Sequence, residues 1–250
     1  MPPRRAASVA TAVAGLALAG LVVAVTVASP RLPFPSEPTS PPPTYAPPAP
    51  LPPAAAVPAS AAISDLPDEA WLIETAQRTD IPIRALAAYA GAAIAKSRAM
   101  ASCGLSWNTI AAIGFVESKH GTHDGSTVAA SGRVSPAIFG PSLSGNGTAH
   151  IADSDNGRFD EDKKYDRAIG PMQMIPETWR NWRTDASGDG KRDPQNIDDA
   201  SMAAANYLCR ASPDMVGEAG WRAGIASYNS APSYLHAVAR VATAYGASPR

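Results

Sequence analysis

The chain has 250 residues, 21 Lys and Arg against 22 Asp and Glu, and a formal net charge of -1. Its basic residues are scattered rather than gathered into a patch, which argues against a nucleic-acid partner. Neither of the 2 cysteines has a second Cys or a His at metal-ligand spacing, so a zinc site is not expected.

Met1 to Arg5 is basic, and Ala7 to Ala28 carries no charge before Ser29-Pro30. An apolar run of about 20 residues can span a bilayer and exceeds the usual core of a cleaved signal. Residues 1–29 are therefore expected to be a membrane anchor or a signal peptide, with Val27-Ala28-Ser29 as a small-residue cleavage context. With Arg4 and Arg5 kept inside, either reading exports the rest of the chain. Residues 30–63 are rich in Pro, Ala and Ser. Pro fixes its own φ and biases the preceding residue away from helix, so an extended spacer is expected, with an O-glycosylated or disordered linker as the alternative.

From Ser64 to Arg250 there is enough chain for one domain with a proper core and too little for two, and a monomer is expected. Cys103 and Cys209 both fall here, and an even count in an oxidising compartment favours a disulfide. Helices are expected over the Ala-rich stretch after Ile81-Pro82 to Ala101, and over Trp107–Ser118 with Ser106 as N-cap. Others are expected at Pro176–Trp182, Asp198–Cys209, Gly217–Tyr228 and Ser233–Tyr245. Between Gly121 and Arg167, Gly, Ser and Asp abound without helical period, and loops of such length usually carry function or small strands.

Glu117 stands at the end of its helical pattern, sharing a face with Trp107 and Ile110, just before a Gly/His/Asp turn. A carboxyl group half withdrawn from water there has a raised pKa and can act as a general acid; otherwise it is a solvated helix-end glutamate. Gln173 lies between Met172 and Met174 after a Gly170-Pro171 turn. Its amide either braces that turn or bonds a sugar. Tyr228-Asn229 offers a ring to stack on a sugar and an amide to bond its substituents, or simply ends a helix. Asp185, Ser187, Asp189, the carbonyl of Lys191 and Asp193 follow EF-hand spacing with Gly190 at the sixth position, so calcium is expected there. Arg192 and Asn196 depart from that pattern, and Asp198 or Asp199 would have to reach back. The acidic run Asp153–Asp162 is expected to be a solvated loop. His120 and His123 are expected in a surface turn, with tuning of the Glu117 pKa as the alternative. Asp124 and Asp166 are the nearest candidates for a second carboxylate.

Taken in order, Glu117-Ser118, Gly170-Pro171-Met172-Gln173-Met174-Ile175-Pro176 with Thr178-Trp179, Asp193-Pro194 with Asn196-Ile197-Asp198-Asp199-Ala200, and Tyr228-Asn229 resemble the lytic murein transglycosylases of the membrane-bound B type. The anchor, the linker and Arg133–Pro141 resemble the exported actinobacterial form in particular. The resemblance spans Ser64 to Ala247. It implies a mainly α, lysozyme-like (α+β) fold, two-lobed with a central glycan-binding cleft. It makes Glu117 the single acid/base, and Gln173, Met174, Tyr228 and Asn229 glycan contacts. The implied reaction cleaves the bond between N-acetylmuramic acid and N-acetylglucosamine and closes a 1,6-anhydro ring. No cofactor is required beyond structural calcium. The implied partners are peptidoglycan strands, and the membrane if the N-terminal segment is uncleaved. A muramidase using water, and a wall-binding protein without turnover, are the alternatives.

Overall fold

The computed structural model describes residues 42–247. The apolar N-terminal run, with the anchor or signal expected of it, lies outside these residues.

Among the described residues the chain is mainly helical. Helix α1 (Glu69–Thr79) begins at Asp68, whose side chain accepts from Trp71 N, and ends at left-handed Asp80. It is not among the helices expected from the sequence, although Asp68 is a good N-cap residue. Helices α2 (Ile83–Ala99), α3 (Trp107–Ser118), α4 (Pro176–Trp182), α5 (Ile197–Ala211), α6 (Glu218–Tyr228) and α7 (Pro232–Gly246) fall where helical pattern and turn residues place them. The Gly121–Arg167 segment holds a 3-10 turn at His123–Gly125, one small antiparallel hairpin, β1 (Thr127–Val128) with β2 (Val134–Ser135), and isolated bridges.

Helix α3 is the centre of the molecule. Every residue from Trp107 to Gly114 is buried, as expected of a helix apolar on all sides. It packs against α2, α5 and α7. Gly114 makes the contact with α2 possible, because a Cβ there would overlap the Tyr89 hydroxyl. Ser106 occupies the N-cap position but makes no capping bond. Its Oγ donates to Asn108 Oδ1 instead.

A disulfide joins Cys103 to Cys209 on α5, as the even cysteine count favoured. Closing a loop of 106 residues removes about 4–5 kcal/mol of unfolded-chain entropy on the loop-closure model.

The described residues of the expected spacer pack against the domain. From residue 42 this part of the Pro-rich segment lies on the domain as an extended strap. Tyr45 donates to Val216 O and meets the Trp221 ring edge-on. Ala46 is fully buried. Asn108 of α3 grips the next turn of chain: its Nδ2 donates to Pro47 O, and its Oδ1 accepts from Ala49 N. The same Nδ2 donates to Ala242 O of α7. Proline lacks an N–H, so a proline-rich segment is served well by a side chain that takes its carbonyls and its few remaining amides.

Asn108→Ala is expected to lower stability by about 2–4 kcal/mol, since it strands buried backbone partners on the strap and α7 at once. Denaturant unfolding measures this; a loss below about 0.5 kcal/mol would show that the strap is not held in this way.

Candidate active site

A cleft of about 510 Å³ runs between the helical body and the long loop. Leu143, Ala149 and Ile151 of the loop line it together with Gln173, Met174, Ile175 and Thr178, Tyr207, and Ala226 to Ser230. Glu117 lies within it. The last turn of α3 opens into this space while its first two turns stay buried, so Glu117 is half-buried where the residues before it are enclosed.

The helix stops at that point for local reasons. Lys119 and His120 both have positive φ, and their amides fold back onto Gly114 O and Phe115 O, closing the C-terminus in a left-handed cap. Ser118, buried beside Glu117, donates to Pro171 O at 2.6 Å and accepts from Gly121 N. One hydroxyl thereby ties the acid's helix to the Gly170-Pro171 turn that carries Gln173. Gly170 is required in that turn, having a φ of +72° and no room for a Cβ against Pro194 O.

Burial pushes the Glu117 carboxyl up to about 7, against the opposing pull of a hydrogen bond from Tyr234. That bond runs from the Tyr234 hydroxyl to Glu117 Oε1 at 2.5 Å. Tyr234 is itself buried and its pKa lies well above the usual tyrosine value, chiefly through desolvation and then through the nearby Glu117 charge. It stays a donor throughout. A carboxyl group in this setting is protonated in part near neutral pH, and its anion is received by a fixed donor once the proton leaves.

Of the other residues expected in the site, Gln173, Met174, Tyr228 and Asn229 all line the cleft. Gln173 braces its own turn, its Nε2 donating to Gly170 O, and the residue is half-exposed in the cleft. The Tyr228 hydroxyl donates to Met172 O, which leaves the ring as the part of Tyr228 presented along the cleft. Tyr234 and Tyr207 were not singled out by sequence reasoning. Tyr234 is the third residue of α7, which starts at Pro232, and its only sequence signal is its place six residues after Tyr228. Tyr207 looks like one more core aromatic of α5.

Asp124 is exposed and paired with His123, and Asp166 is fully buried, accepting from Ser154 N and Oγ. Neither lines the cleft, and Glu117 is the one carboxylate among its lining residues. Two expectations are corrected. His120 is buried, between the hydroxyls of Tyr89 and Tyr245, and desolvation lowers its pKa to about 4; it is a neutral interior brace and not part of a surface turn. The run from Asp153 to Asp162 is not a freely solvated loop, because Asp160 is buried and binds the amides of Asp162 and Arg167, while Asp153 gathers those of Asp155, Asn156 and Gly157.

In the expected calcium loop, Asp185 accepts from Gly188 N and Gly190 N, and Asp189 from Lys191 N. Asp193 accepts from Gln195 N and pairs with Arg133. Asn196 caps α5, Asp198 pairs with Arg84, and Asp199 binds the amides of Ala186, Ser187 and Asp193 from inside the fold. Among the described residues, the carboxylates that bring three oxygens within 4.8 Å are Asp153, Asp155 and Asp166, not those of this loop.

Residues 154–226 match the family model described as Transglycosylase SLT domain, which supports a relationship to lytic transglycosylases. The matched stretch contains Gln173, Met174 and the 185–193 loop. Glu117, Tyr228, Asn229 and Tyr234 lie outside it. No curated protein and no solved structure matches the chain.

The raised carboxyl pKa has a consequence for stability. Glu117 titrates at 4.5 when unperturbed and at about 7 in the fold. Between these values the folded state binds more protons than the unfolded one, so stability falls as pH rises through the window, and the full deficit is present above about 7. Glu117→Gln keeps an acceptor for Tyr234 and removes the deficit. It is expected to raise stability by about 1–2 kcal/mol at about pH 8 and by far less at about pH 5. Thermal unfolding at both pH values checks this, and equal effects at the two would contradict the raised pKa.

Proposed function

We propose that this protein is a lytic transglycosylase that cleaves peptidoglycan strands between N-acetylmuramic acid and N-acetylglucosamine, with Glu117 as its single acid/base and a 1,6-anhydro sugar as product. The observation that carries this reading is the one half-buried carboxyl group of the cleft, raised to about 7 and held by Tyr234. The transglycosylase match over residues 154–226 supports the substrate class.

The steps follow from that arrangement. Tyr234 occupies Oε1, so Oε2 is the oxygen left to carry the proton toward the glycosidic oxygen. As the bond from C1 to that oxygen breaks, the proton moves to the leaving sugar and C1 takes on oxocarbenium character. The new carboxylate is stabilised by the Tyr234 hydroxyl, whose bond strengthens when its acceptor becomes charged. Glu117 then takes the proton of the C6 hydroxyl as that oxygen bonds to C1, which restores the acid and closes the ring. Glycosidases that use water normally need a second carboxylate to activate it or to form a covalent intermediate. The lining of this cleft offers none, and the internal hydroxyl makes one unnecessary. Tyr228 and Asn229 stack on and bond the sugar, Gln173 and Met174 flank it, and the apolar loop wall limits water at C1.

Glu117→Gln is expected to reduce muropeptide release from purified cell walls by at least about a thousandfold, a loss typical of an essential proton-transfer group. Release at the wild-type rate would overturn the assignment. Mass spectrometry of the wild-type products separates the chemistries, because anhydro products are lighter by one water than those of hydrolysis.

Export by the N-terminal segment, as a tethered or a secreted enzyme, belongs to the same proposal. So does a structural calcium ion held by Asp185, Ser187, Asp189, the Lys191 carbonyl and Asp193. Binding there would compete with the Arg133 pairing of Asp193, so the expected affinity is weak. Millimolar calcium is expected to raise the melting temperature by a few degrees, an effect lost in Asp185→Ala. An unchanged melting temperature removes the ion from the proposal.

A further inference from the structure

A second cavity, of about 170 Å³, lies at the other end of α3 from the acid. Trp107, the first residue of that helix, lines it with Trp71, Glu74 and Arg78 of α1, and the strap contributes Ala49 and Pro50. The ten residues from Trp107 to Glu117 correspond to about 15 Å of helix, and the two cavities share no lining residue. This one is separate from the cleft.

Its charges are uncommitted. Glu74 and Arg78 stand one turn apart on α1, a spacing at which opposite charges can pair. Glu218 and Arg222 have the same spacing and order on α6 and do pair, at 3.4 Å. On α1 the pair does not form, because Arg78 is turned to the end of α7, where its Nη1 donates to Tyr245 O and Ala247 O. Both hydrogens of Nη1 are thereby used, and the edge made by Nε and Nη2 keeps its donors. That edge has the parallel N–H groups that match a carboxylate. Glu74 is exposed, and the ion pairs among the described residues leave it out.

The cavity thus presents a free anion and a free cationic edge one turn apart, beside two indoles that meet edge-on at 5.3 Å. A ligand that answers these features carries an ammonium and a carboxylate close together on a short apolar chain that can lie against the rings. The volume is well below the roughly 300 Å³ at which drug-sized sites begin, which suits one amino-acid residue and not a run of sugars. The diamino acid of a peptidoglycan stem peptide, whose free end bears both charged groups on one carbon, has this chemistry.

We propose that the cavity between α1, the strap and the end of α7 is a second binding site, which takes the free ammonium and carboxylate end of a peptidoglycan stem peptide. The choice of ligand rests on the peptidoglycan reading of the cleft. Its consequence is a preference for stems that are not cross-linked, since cross-linking turns the ammonium into a neutral amide and leaves Glu74 without a partner.

The test uses the full chain and a soluble stem tripeptide, N-acetyl-L-alanyl-γ-D-glutamyl-meso-diaminopimelate, beside the same peptide with its free amino group acetylated, both titrated by calorimetry. The wild type is expected to bind the free peptide at least about fivefold more tightly than the acetylated one. Glu74→Gln, at an exposed position, is expected to abolish that difference, and Arg78→Gln to weaken both peptides. Indole N–H resonances of the wild type, with Trp71 assigned by Trp71→Phe, give a readout that needs no charge variant to fold, and the Trp71 signal should shift with the free peptide. Equal binding of the two peptides by the wild type, a preference that survives Glu74→Gln, or a Trp71 signal that does not move overturns the site. Muropeptide release from purified cell walls by the same wild-type protein separates this from the glycan reading. Release without peptide binding removes the second site alone, and peptide binding without release removes the lytic function alone.

Discussion

The chemistry proposed for this molecule depends on one packing constraint: a carboxyl group must stay mostly out of water without losing its route to substrate. Helix α3 meets it by being buried from Trp107 to Gly114 and emerging only in its last turn. A glutamate one turn earlier would be enclosed and unreachable, and one a turn later would lie in the left-handed cap at Lys119 and His120. The position of the acid is therefore set by where the helix stops being interior. That depth in turn requires α2 to approach closely, which the absence of a side chain at Gly114 permits.

Two side chains turn this depth into fixed geometry. Asn108 uses its whole amide, accepting from Ser106 Oγ and Ala49 N and donating to Pro47 O and Ala242 O, so it binds α3 to both the strap and α7. Since α7 carries Tyr234, the partner of Glu117 is registered against the acid through the opposite end of α3 as well as through their direct bond. Ser118 does the corresponding work on the other side by reaching Pro171 O. The acid, its donor and the Gln173 turn are thus positioned by short polar links between elements far apart in sequence. Each such link is worth about 1 kcal/mol on its own, and their value lies in fixing relative position more than in stability.

These links explain what the sequence could and could not disclose. The six helices from α2 to α7 were legible because each combines an apolar period with a Ser, Pro, Gly or Asn at its boundary, and Glu117 because it sits at the edge of such a pattern. Gln173, Met174 and Tyr228-Asn229 were legible only as an ordered set, since each alone has a bland structural use. Tyr234 was not legible: a tyrosine in a helix becomes a donor to Glu117 only through the packing of α7 on α3, a contact between residues 117 positions apart. His120 misled for the related reason that Gly, His and Asp in sequence read as surface, whereas Tyr89 and Tyr245 arrive from two distant helices to enclose it. The strap misled because proline composition reports backbone stiffness and says nothing about whether a matching groove exists.

A cleft with one carboxylate and a row of aromatic rings imposes its own logic. A second carboxylate would help to hold an oxocarbenium-like sugar by charge, and its absence leaves that task to geometry and to the sugar's own groups. Rings suit the geometric part, because they bind the apolar faces of the sugars and leave the hydroxyls free to react. On the proposed reaction they would also limit water at the reacting carbon, which strengthens the hydrogen bonds of Glu117. On the proposed reaction, the desolvation that raises the pKa of Glu117 would also favour an internal hydroxyl over water. Acidity and product choice are on this view one property of the cleft, and a change that wets the site would weaken both together.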